Sequence, residues 1–404
     1  MILFAACAPE TTQPAQVMAL VRSPGGGGGA GGLYVPQQVS LDTVSDVVAL
    51  KGSIGYLVGG ARIVVDPADP LLRLNGGNLN DDQLAQVFIK GEGADPRASY
   101  IEKDGVLWPA DFHTWNMVTS YFNFEQAFEY FQAIGVPGET LSEVRIYYFP
   151  SLVFTEDGPQ EMRDNALYLS LVKSFLVLPF DKLQEAPLAI NAEVVAHEYA
   201  HLVFHRLVYG NKALPDPLVR WAGGLGAPSP QVNLLKSFDE GLSDFHAFSA
   251  SCRGAFGCDP RFLDSSFDDA LATARDLSRR DTCMDDGLYN ALHSQGGDFT
   301  RLGNHYALGT ILASALYHAG ASPQDWELIS TSVVSAYPDL QSFIATNLNT
   351  PENFTLEAVL DLLMAHTSSI ELRTRMCSQF LGRLRIERAL LEHCPAQAVP
   401  TTDC

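Results

Sequence analysis

Apolar and polar residues alternate over short runs in the first half of the chain, a period typical of β-strands. The stretch YLVGGARIVVDP (56–67) contains two such runs around Gly59 and Gly60, and it predicts a β-hairpin. Two further runs, VRIYYF (144–149) and KSFLVLPF (173–180), predict strands. The first half of the chain is therefore expected to be rich in β-structure.

Helical spacing of apolar residues predicts a long helix in DFHTWNMVTSYFNFEQAFEYFQAI (111–134), which Gly135 and Pro137 should end. Its aromatic face is expected in the core and comprises Trp115, Val118, Phe122, Phe128 and Phe131. A second helix is predicted for EVVAHEYAHLVFHRL (193–207), with Asn191 as its N-cap. After about residue 235 the spacing stays helical and predicts no further strand.

This order of elements predicts an α+β protein with a β-rich first half and a helical second half. A leader with the flexible glycine-rich linker SPGGGGGAGG is expected in residues 1–32. A β-rich lobe with the second helix (33–208), a helical lobe (209–368) and a cysteine-bearing tail (369–404) should follow.

Composition and charge narrow the possible partners. The chain has 404 residues, 47% of them hydrophobic, and a formal net charge of -21, which is the composition of a globular protein. The acidic balance argues against nucleic acid as a partner, because phosphates require a basic surface. The longest apolar run, LYLSLVKSFLVLPF (167–180), is interrupted by Lys173, so no membrane span is predicted.

The N-terminal sequence ILFAACAPE (2–10) resembles the end of a bacterial lipoprotein signal, with Phe4, Ala5 and Ala6 before Cys7. The resemblance implies an exported protein that a lipid on Cys7 attaches to the cell surface or outer membrane. A basic n-region and a full-length apolar h-region do not precede it. A clipped secretion signal or a chance cysteine is the alternative.

The other cysteines all lie in the second half of the chain: Cys252, Cys258, Cys283, Cys377, Cys394 and Cys404. Six is an even number, which favours disulfides in an exported protein. The sequence leaves the pairing open, and Cys252 with Cys258 and Cys377 with Cys394 are the nearest-neighbour pairs. No C-x-x-C spacing occurs, so a cysteine zinc site is not expected.

The second predicted helix contains the pattern H-E-x-x-H in His197, Glu198 and His201. Positions i and i+4 share one helical face, so both imidazoles can reach one metal ion. Glu198 would then stand beside the open position of the ion, where it can accept a proton from water. Because the pattern also arises by chance, a metal site needs a further ligand from elsewhere.

His205 does not supply that ligand, because eight residues of helix separate it from His197 by roughly 12 Å. It is expected at the helix surface or at an interface. The stretch SFDEGLSDFHAF (237–248) offers Glu240 as the ligand and Asp244, one turn later, to orient a ligating imidazole. Asp239 and His246 are rival third ligands, and the acidic pair could instead form a solvated helix face.

HEYAH (197–201) followed by EGLSD (240–244) resembles the gluzincin metallopeptidases, particularly the thermolysin and fungalysin groups. The resemblance covers residues 110–367. It implies a two-lobed fold, with the active-site helix in a β-rich N-terminal lobe and an all-α C-terminal lobe. It also implies that Zn²⁺ is bound by His197, His201 and Glu240, that Glu198 is the general base, and that Asp244 orients a ligand.

Two further segments extend the resemblance. DNALYLS (164–170) is similar to the edge strand that holds the peptide substrate in this family, which implies that role for Asn165 and Ala166. NHYALGTILASALY (304–317) is similar to a family helix whose first histidine donates a hydrogen bond to the oxyanion. The resemblance assigns that role to His305, four residues before Gly309.

Other family features stay open. Tyr209 is a weak candidate for the tyrosine that stabilises the transition state. The arginine near the substrate carbonyl could be Arg275, Arg279 or Arg280. No structural calcium is expected, since the acidic residues that hold it in thermolysin have few counterparts here.

These features together predict an exported zinc endopeptidase that acts on peptide or protein substrates. An aminopeptidase or oligopeptidase of the same group is one alternative, although the amine-binding acidic motif of such enzymes does not occur before HEYAH. A surface lipoprotein that uses a peptidase fold only to bind a partner is the other. Peptide specificity and oligomeric state do not follow from the sequence.

Overall fold

The computed structural model describes residues 14–22, 34–66, 68–70, 81–141, 143–155, 158–180, 186–212, 228–253, 258–261, 275–294, 298–301, 303–350 and 352–404. Cys7 and the glycine-rich linker lie outside these residues. Within them, none of the helices combines the length and the apolar character that crossing a membrane requires.

The strands of the described residues form three sheets. In chain order they are β1 (Ala15–Arg22), β2 (Tyr34–Leu41), β3 (Val44–Asp46), β4 (Lys51–Gly52), β5 (Gly55–Gly59), β6 (Arg62–Val65), β7 (Ile89–Gly91), β8 (Tyr100–Lys103), β9 (Val106–Pro109), β10 (Val144–Tyr148), β11 (Ser151–Phe154), β12 (Gln160–Met162), β13 (Ala166–Leu169) and β14 (Ser174–Val177). The three sheets have the orders β2-β1-β9-β8, β13-β14-β10-β5-β4-β3 and β12-β11-β6-β7.

The helices of the described residues come mostly after the strands. They are α1 (Asp81–Phe88), α2 (Phe112–Ala133), α3 (Gly138–Leu141), α4 (Ala192–Leu207), α5 (Pro230–Ser251), α6 (Asp286–His293), α7 (Asn304–Ala319), α8 (Pro323–Asn347), α9 (Leu356–Ala365) and α10 (Ile370–Arg383), with short 3₁₀ turns at Leu188–Ile190 and Arg388–Leu390. No strand follows β14 within the described residues, which confirms the predicted α+β class.

The predicted hairpin at residues 56–67 is wrong. Both apolar runs are strands, but they belong to different sheets: β5 pairs in parallel with β10, and β6 pairs in parallel with β11. Gly60, at φ +71°, lies at the break between the two strands, a backbone conformation that favours glycine. The glycines at the break therefore mark a change of sheet, which a local pattern does not distinguish from a hairpin.

Strand β1 lies inside its sheet, antiparallel to β2 and parallel to β9. Its central residues Val17, Met18 and Ala19 are buried. Residues 15–22 are thus part of the folded body, although the sequence analysis grouped them with the leader. Alternation is weak in AQVMALVR, because the apolar side chains in the middle of this strand are consecutive.

Helix α2 confirms the predicted helix and begins at Asp111, whose side chain accepts a hydrogen bond from the Thr114 N–H. Its buried face differs from the prediction in part. Val118 and Phe131 are buried as expected, but Trp115, Phe122 and Phe128 are only half-buried. The fully enclosed aromatic side chains are Tyr121, Phe124, Tyr130 and Phe131. The helix packs against several elements at once, so most of its circumference is covered and no single stripe stands out.

The six-stranded sheet positions helix α4. Phe175 of β14 lies 4.6 Å from Phe124 of α2 and 5.6 Å from Tyr199 of α4, measured between ring centroids. This aromatic group belongs to one continuous core that also includes Phe238 of α5 and Leu312 of α7. The sheet, α2, α4, α5 and α7 are therefore packed as one unit around the middle of α4.

Three disulfides join the cysteines of the second half. Cys252 pairs with Cys258 and Cys377 with Cys394, which confirms both nearest-neighbour pairs. Cys283 pairs with Cys404, across a separation of 121 residues. Disulfides form and persist in oxidising, extracellular environments, which agrees with the expectation of an exported protein.

One carboxyl group is buried in the β-rich half. Glu125 of α2 is 1% exposed, and its Oε1 accepts a 2.5 Å hydrogen bond from the Thr43 N–H. Burial raises the pKa of Glu125 to about 7, because the ionised form loses its hydration. An unfolded glutamate ionises at about pH 4.3, so folding favours the protonated carboxyl.

We predict that Glu125 makes the free energy of unfolding decrease as the pH rises from about 4.5 to about 7, because the unfolded chain releases this proton first. The contribution is complete below this window and lost above it, with a size on the order of 2 kcal/mol. Urea denaturation across the window should show this slope in the wild type and a flatter one in Glu125→Gln. Identical slopes in the two proteins would refute the assignment.

Candidate metal centre

Helix α4 presents two histidines on one face. Asn191 caps the helix by accepting a 3.0 Å hydrogen bond from the Val194 N–H, as predicted. His197 and His201 are one turn apart and buried, with their ring centroids 4.6 Å from each other. The cap fixes where the helix begins and thereby the side to which both imidazoles point.

Helix α5 adds a carboxylate to this pair. Glu240 Oε2 lies 3.7 Å from His197 Nε2, and Glu240 Oε1 lies 3.7 Å from His201 Nε2. One ligand atom from each of the three side chains falls within 4.8 Å of the others, and all three residues are buried. The group His197, His201 and Glu240, called the metal group below, could therefore hold a metal ion.

The outer nitrogens of both imidazoles face carboxylates. His201 Nδ1 lies 2.7 Å from Asp239 Oδ1, and His197 Nδ1 lies 2.9 Å from Asp244 Oδ1. Asp239 accepts a hydrogen bond from the Nδ1–H of His201, and Asp244 lies beside the Nδ1 of His197, so the Nε2 atoms of both rings face inward. Asp244 thus lies where the sequence predicted an orienting carboxylate, and Asp239 plays the matching part for the other histidine.

The inner nitrogens lie close together. His197 Nε2 and His201 Nε2 are 3.1 Å apart, near the ~3.3 Å that separates two ligand nitrogens on a tetrahedral zinc ion. Two lone pairs at this distance repel each other unless a cation lies between them. The arrangement therefore suits a shared metal ion, or a shared proton when metal is absent.

Burial and neighbouring charges act in opposite directions on the pKa values of His201 and Glu240. Burial alone would lower the pKa of His201, but Asp239 outweighs it and raises the pKa to about 9. Burial alone would raise the pKa of Glu240, but the charge of Lys236 and of the two histidines lowers it below its ordinary value. Glu240 is therefore an anion that can bind a cation.

Lys236 and Arg275 are cationic side chains that lie next to the metal group. Lys236 Nζ lies 2.7 Å from Asp239 Oδ2 and 3.2 Å from Glu240 Oε1. Arg275 binds Asp244 through Nε, at 3.2 Å, and through Nη2, which also lies 3.9 Å from Glu240. These cations offset part of the negative charge that buried carboxylates would otherwise concentrate here.

Only one of the three candidate arginines reaches the metal group. Arg275 does, whereas Arg279 pairs with Asp281 at the surface. The backbone carbonyl of Arg280 accepts a hydrogen bond from Arg383, away from the metal group. The sequence left this choice open because all three arginines follow one another in a segment without regular spacing.

Glu198 lies next to the first histidine and faces strand β13. Its Oε2 accepts a 2.6 Å hydrogen bond from the Tyr168 N–H. Burial raises the pKa of Glu198 above its ordinary value, although the neighbouring histidines act in the opposite direction. A carboxyl group with a raised pKa beside a metal group is suited to accept and return a proton.

The rival ligands have other partners. Asp239 bonds the outer nitrogen of His201, and His246 lies between Tyr130 Oη, at 2.9 Å, and Tyr337 Oη, at 3.3 Å. Burial lowers the pKa of His246 to about 3, so this imidazole is neutral. Both residues belong to the support and packing of α5 rather than to the metal group.

Of the two places expected for His205, the interface is confirmed and the helix surface is wrong. It is 1% exposed and bonded to Tyr168 Oη at 2.9 Å and to the Lys212 carbonyl at 3.0 Å. The last turn of α4 is covered by the edge strand and by the loop that follows the helix. His205 therefore connects these elements and does not contribute to the metal group.

Helices α5 and α7 cross at two glycines. A Cβ atom added at Gly309 would lie 2.9 Å from Gly241 N and 3.2 Å from the Cβ of Glu240. The absence of side chains lets the helix backbones approach until Gly309 contacts the metal-group residue itself. His305 is buried one turn before Gly309, in the first turn of α7, so helical spacing directs it to the same side.

Tyr306 is a residue that the sequence analysis missed. The charge of Glu240 is the main cause that raises the pKa of Tyr306 to about 12, so the phenol lies within electrostatic range of the metal group. Its side chain is 49% exposed. Tyr209, the candidate from the sequence, is buried with its hydroxyl 3.4 Å from Asp239 Oδ2. Lys236 was also missed, although its i+3 and i+4 spacing to two acidic residues was a usable signal.

Asn165 and Ala166 lie at the start of strand β13, which is the last strand of the six-stranded sheet. Ala166 is buried and Asn165 is exposed, with its Oδ1 2.9 Å from the Ala166 N–H. The same strand supplies the Tyr168 N–H to Glu198. The sheet edge and the metal group therefore adjoin each other.

The donor set fits a first-row transition metal. Two imidazoles and one carboxylate, each imidazole backed by a further carboxylate, are the ligands of an open zinc site. Comparison with protein-family models yields no match, and comparison with curated proteins yields none either.

We predict that each chain binds one zinc ion through the metal group. His201→Ala or Glu240→Ala should weaken the affinity at least about 100-fold, because each removes one of three ligands. His205→Gln, one turn further on α4, is the matched control and should keep the wild-type affinity. Metal content and competition with a chromophoric chelator measure both. Full occupancy in His201→Ala would exclude this site.

Gly309→Ala should disturb the helix crossing. The added methyl would overlap Gly241 and push on Glu240, so we expect a loss of about 1–3 kcal/mol of stability and weaker zinc binding. Gly287→Ala, at an exposed position of α6 where the nearest atom is Asp285 Oδ1, is the control and should change neither. Denaturation and chelator competition separate the effects. A Gly309→Ala protein with unchanged stability would show that the crossing is not close.

Proposed function

We propose that the protein is a zinc-dependent endopeptidase with a thermolysin-like, two-lobed arrangement of the gluzincin type. The observation that carries this proposal is the convergence of three buried ligands with Glu198 beside them. Two outer carboxylates, which orient the imidazoles, add support. A site kept only for packing would not require two buried imidazoles and a carboxylate with their ligand atoms within 4.8 Å of one another.

His197, His201 and Glu240 would hold the zinc ion. When bound, zinc supplies a Lewis acid that polarises the scissile carbonyl and lowers the pKa of water. Glu198 accepts the proton of the attacking water and passes it to the leaving amine. Its raised pKa suits both transfers, because the group must accept and release a proton within one turnover.

Other residues would bind the substrate and its developing charge. An extended peptide can add to strand β13, where Asn165 and Ala166 begin the sheet edge. The hydrogen bond from Tyr168 to Glu198 ties that edge to the proposed base. His305, in the first turn of α7, would donate a hydrogen bond to the oxyanion. An edge strand that aligns backbone on both sides of the cleaved bond favours internal cleavage.

The substrates would be polypeptides outside the cell. The disulfides support an exported protein, and the charge of -21 disfavours nucleic acid. Attachment of a lipid to Cys7 remains part of this proposal, as does a location at the bacterial cell surface or outer membrane.

Glu198→Gln should lower the rate of hydrolysis of unfolded casein by about 10²–10⁴-fold, because the amide cannot accept the proton. Zinc content should stay at one ion per chain. Glu193→Gln, in the first turn of the same helix, is the matched control and should retain activity within a few-fold. Undiminished turnover in Glu198→Gln with zinc bound would rule out this base.

The same assay tests the class of peptidase. A peptide with an acetylated N-terminus should be cut at internal bonds, because the proposed site binds backbone and not a terminal amine. Release of single residues from a free N-terminus, with no cleavage of the blocked peptide, would indicate an aminopeptidase. Partner binding that survives chelation, without any turnover, would favour a non-catalytic surface protein.

A further inference from the structure

The C-terminal tail binds an earlier segment of the chain that begins next to the metal group. Arg383, the last residue of α10, is 0% exposed, and its Nη1 donates to the carbonyls of Arg280, at 3.1 Å, and Thr282, at 3.0 Å. Its Nη2 pairs with Asp403 at 3.0 Å. One guanidinium thus binds both the end of the chain and a backbone more than 100 residues earlier.

Two further ties join the same regions. The Met284 N–H donates a 2.8 Å hydrogen bond to the Arg383 carbonyl, and the disulfide between Cys283 and Cys404 lies beside it. Residues 276–284, called the linking segment below, contain neither helix nor strand. Its position therefore depends on such individual anchors and not on a regular hydrogen-bond ladder.

The linking segment begins next to Arg275. That residue binds Asp244, which faces the outer nitrogen of His197, and its Nη2 lies 3.9 Å from Glu240. Leu277 is fully buried and its carbonyl accepts a 3.0 Å hydrogen bond from Ser314 Oγ of α7. Anchors thus exist at both ends, with Arg275 at the metal group and Arg383 at the tail.

We propose that Arg383 is a positioning residue, which holds Arg275 against Asp244 by fixing the linking segment from the tail. The C-terminal residues therefore contribute to metal affinity without contacting the metal group. For catalysis the inference rests on the proposed peptidase function, but for metal binding it does not.

The contacts predict that loss of Arg383 weakens metal binding. Without Arg383, the carbonyls of Arg280 and Thr282 lose their protein donor, so this end of the linking segment is no longer fixed to α10. Arg275 then no longer fixes both oxygens of Asp244, and His197 is less well oriented. Removal of such outer support weakens metal binding about 10–100-fold.

A double-mutant cycle on zinc affinity tests the proposal. Arg383→Met in the full chain should weaken zinc binding about tenfold. In an Arg275→Met background the same substitution should change the affinity less than about twofold, because its route to the metal group is gone. Arg373→Met is the control, since Arg373 also lies on α10 but donates to the Thr367 carbonyl. It should leave the affinity unchanged.

Independent, additive effects of the two substitutions would overturn the proposal, as would wild-type affinity in a folded Arg383→Met protein. If Arg383→Met does not fold, the paired variant Cys283→Ser with Cys404→Ser releases the tail more gently. It should weaken zinc binding by a few-fold and, again, only when Arg275 is present. Chelator competition reads affinity without turnover, so an inactive protein with an intact cycle would refute the peptidase proposal and leave this inference standing.

Discussion

The structure around α4 depends on two buried imidazoles whose inner nitrogens lie 3.1 Å apart. Asp239 accepts a hydrogen bond from the outer nitrogen of His201, and Asp244 lies 2.9 Å from the outer nitrogen of His197. At this distance the inner nitrogens can share a proton or a metal ion. Protonation of the pair and binding of a metal ion therefore compete for the same two nitrogens.

Burial of so much charge is possible because the cations and anions alternate. Lys236 lies between Asp239 and Glu240, and Arg275 lies against Asp244. Removal of either partner of such a pair would leave an uncompensated charge in the interior, which costs several kcal/mol. Helix α5 carries most of these groups within three turns, so its close contact with α7 determines the geometry of the whole centre.

Local spacing was sufficient to predict the parts of the fold and site that depend on one element. Asn191 as cap, His197 and His201 on one face, and the nearest-neighbour disulfides all follow from short sequence distances. Long-range partners did not follow. The separation of β5 from β6 is set by pairing with β10 and β11, and the choice of Arg275 is set by a segment without regular structure. Tertiary contacts determine these pairings, and such contacts produce no periodic pattern in the sequence.

The bond between Cys283 and Cys404 has a consequence for a protein exposed to proteolysis. It spans 121 residues, so a single backbone cut anywhere between the two cysteines leaves both fragments covalently joined. Helices α6 to α10 would stay attached after such a nick, and reassembly would not depend on dilution. The disulfide therefore holds the fragments together after a backbone cut, in addition to constraining the intact fold.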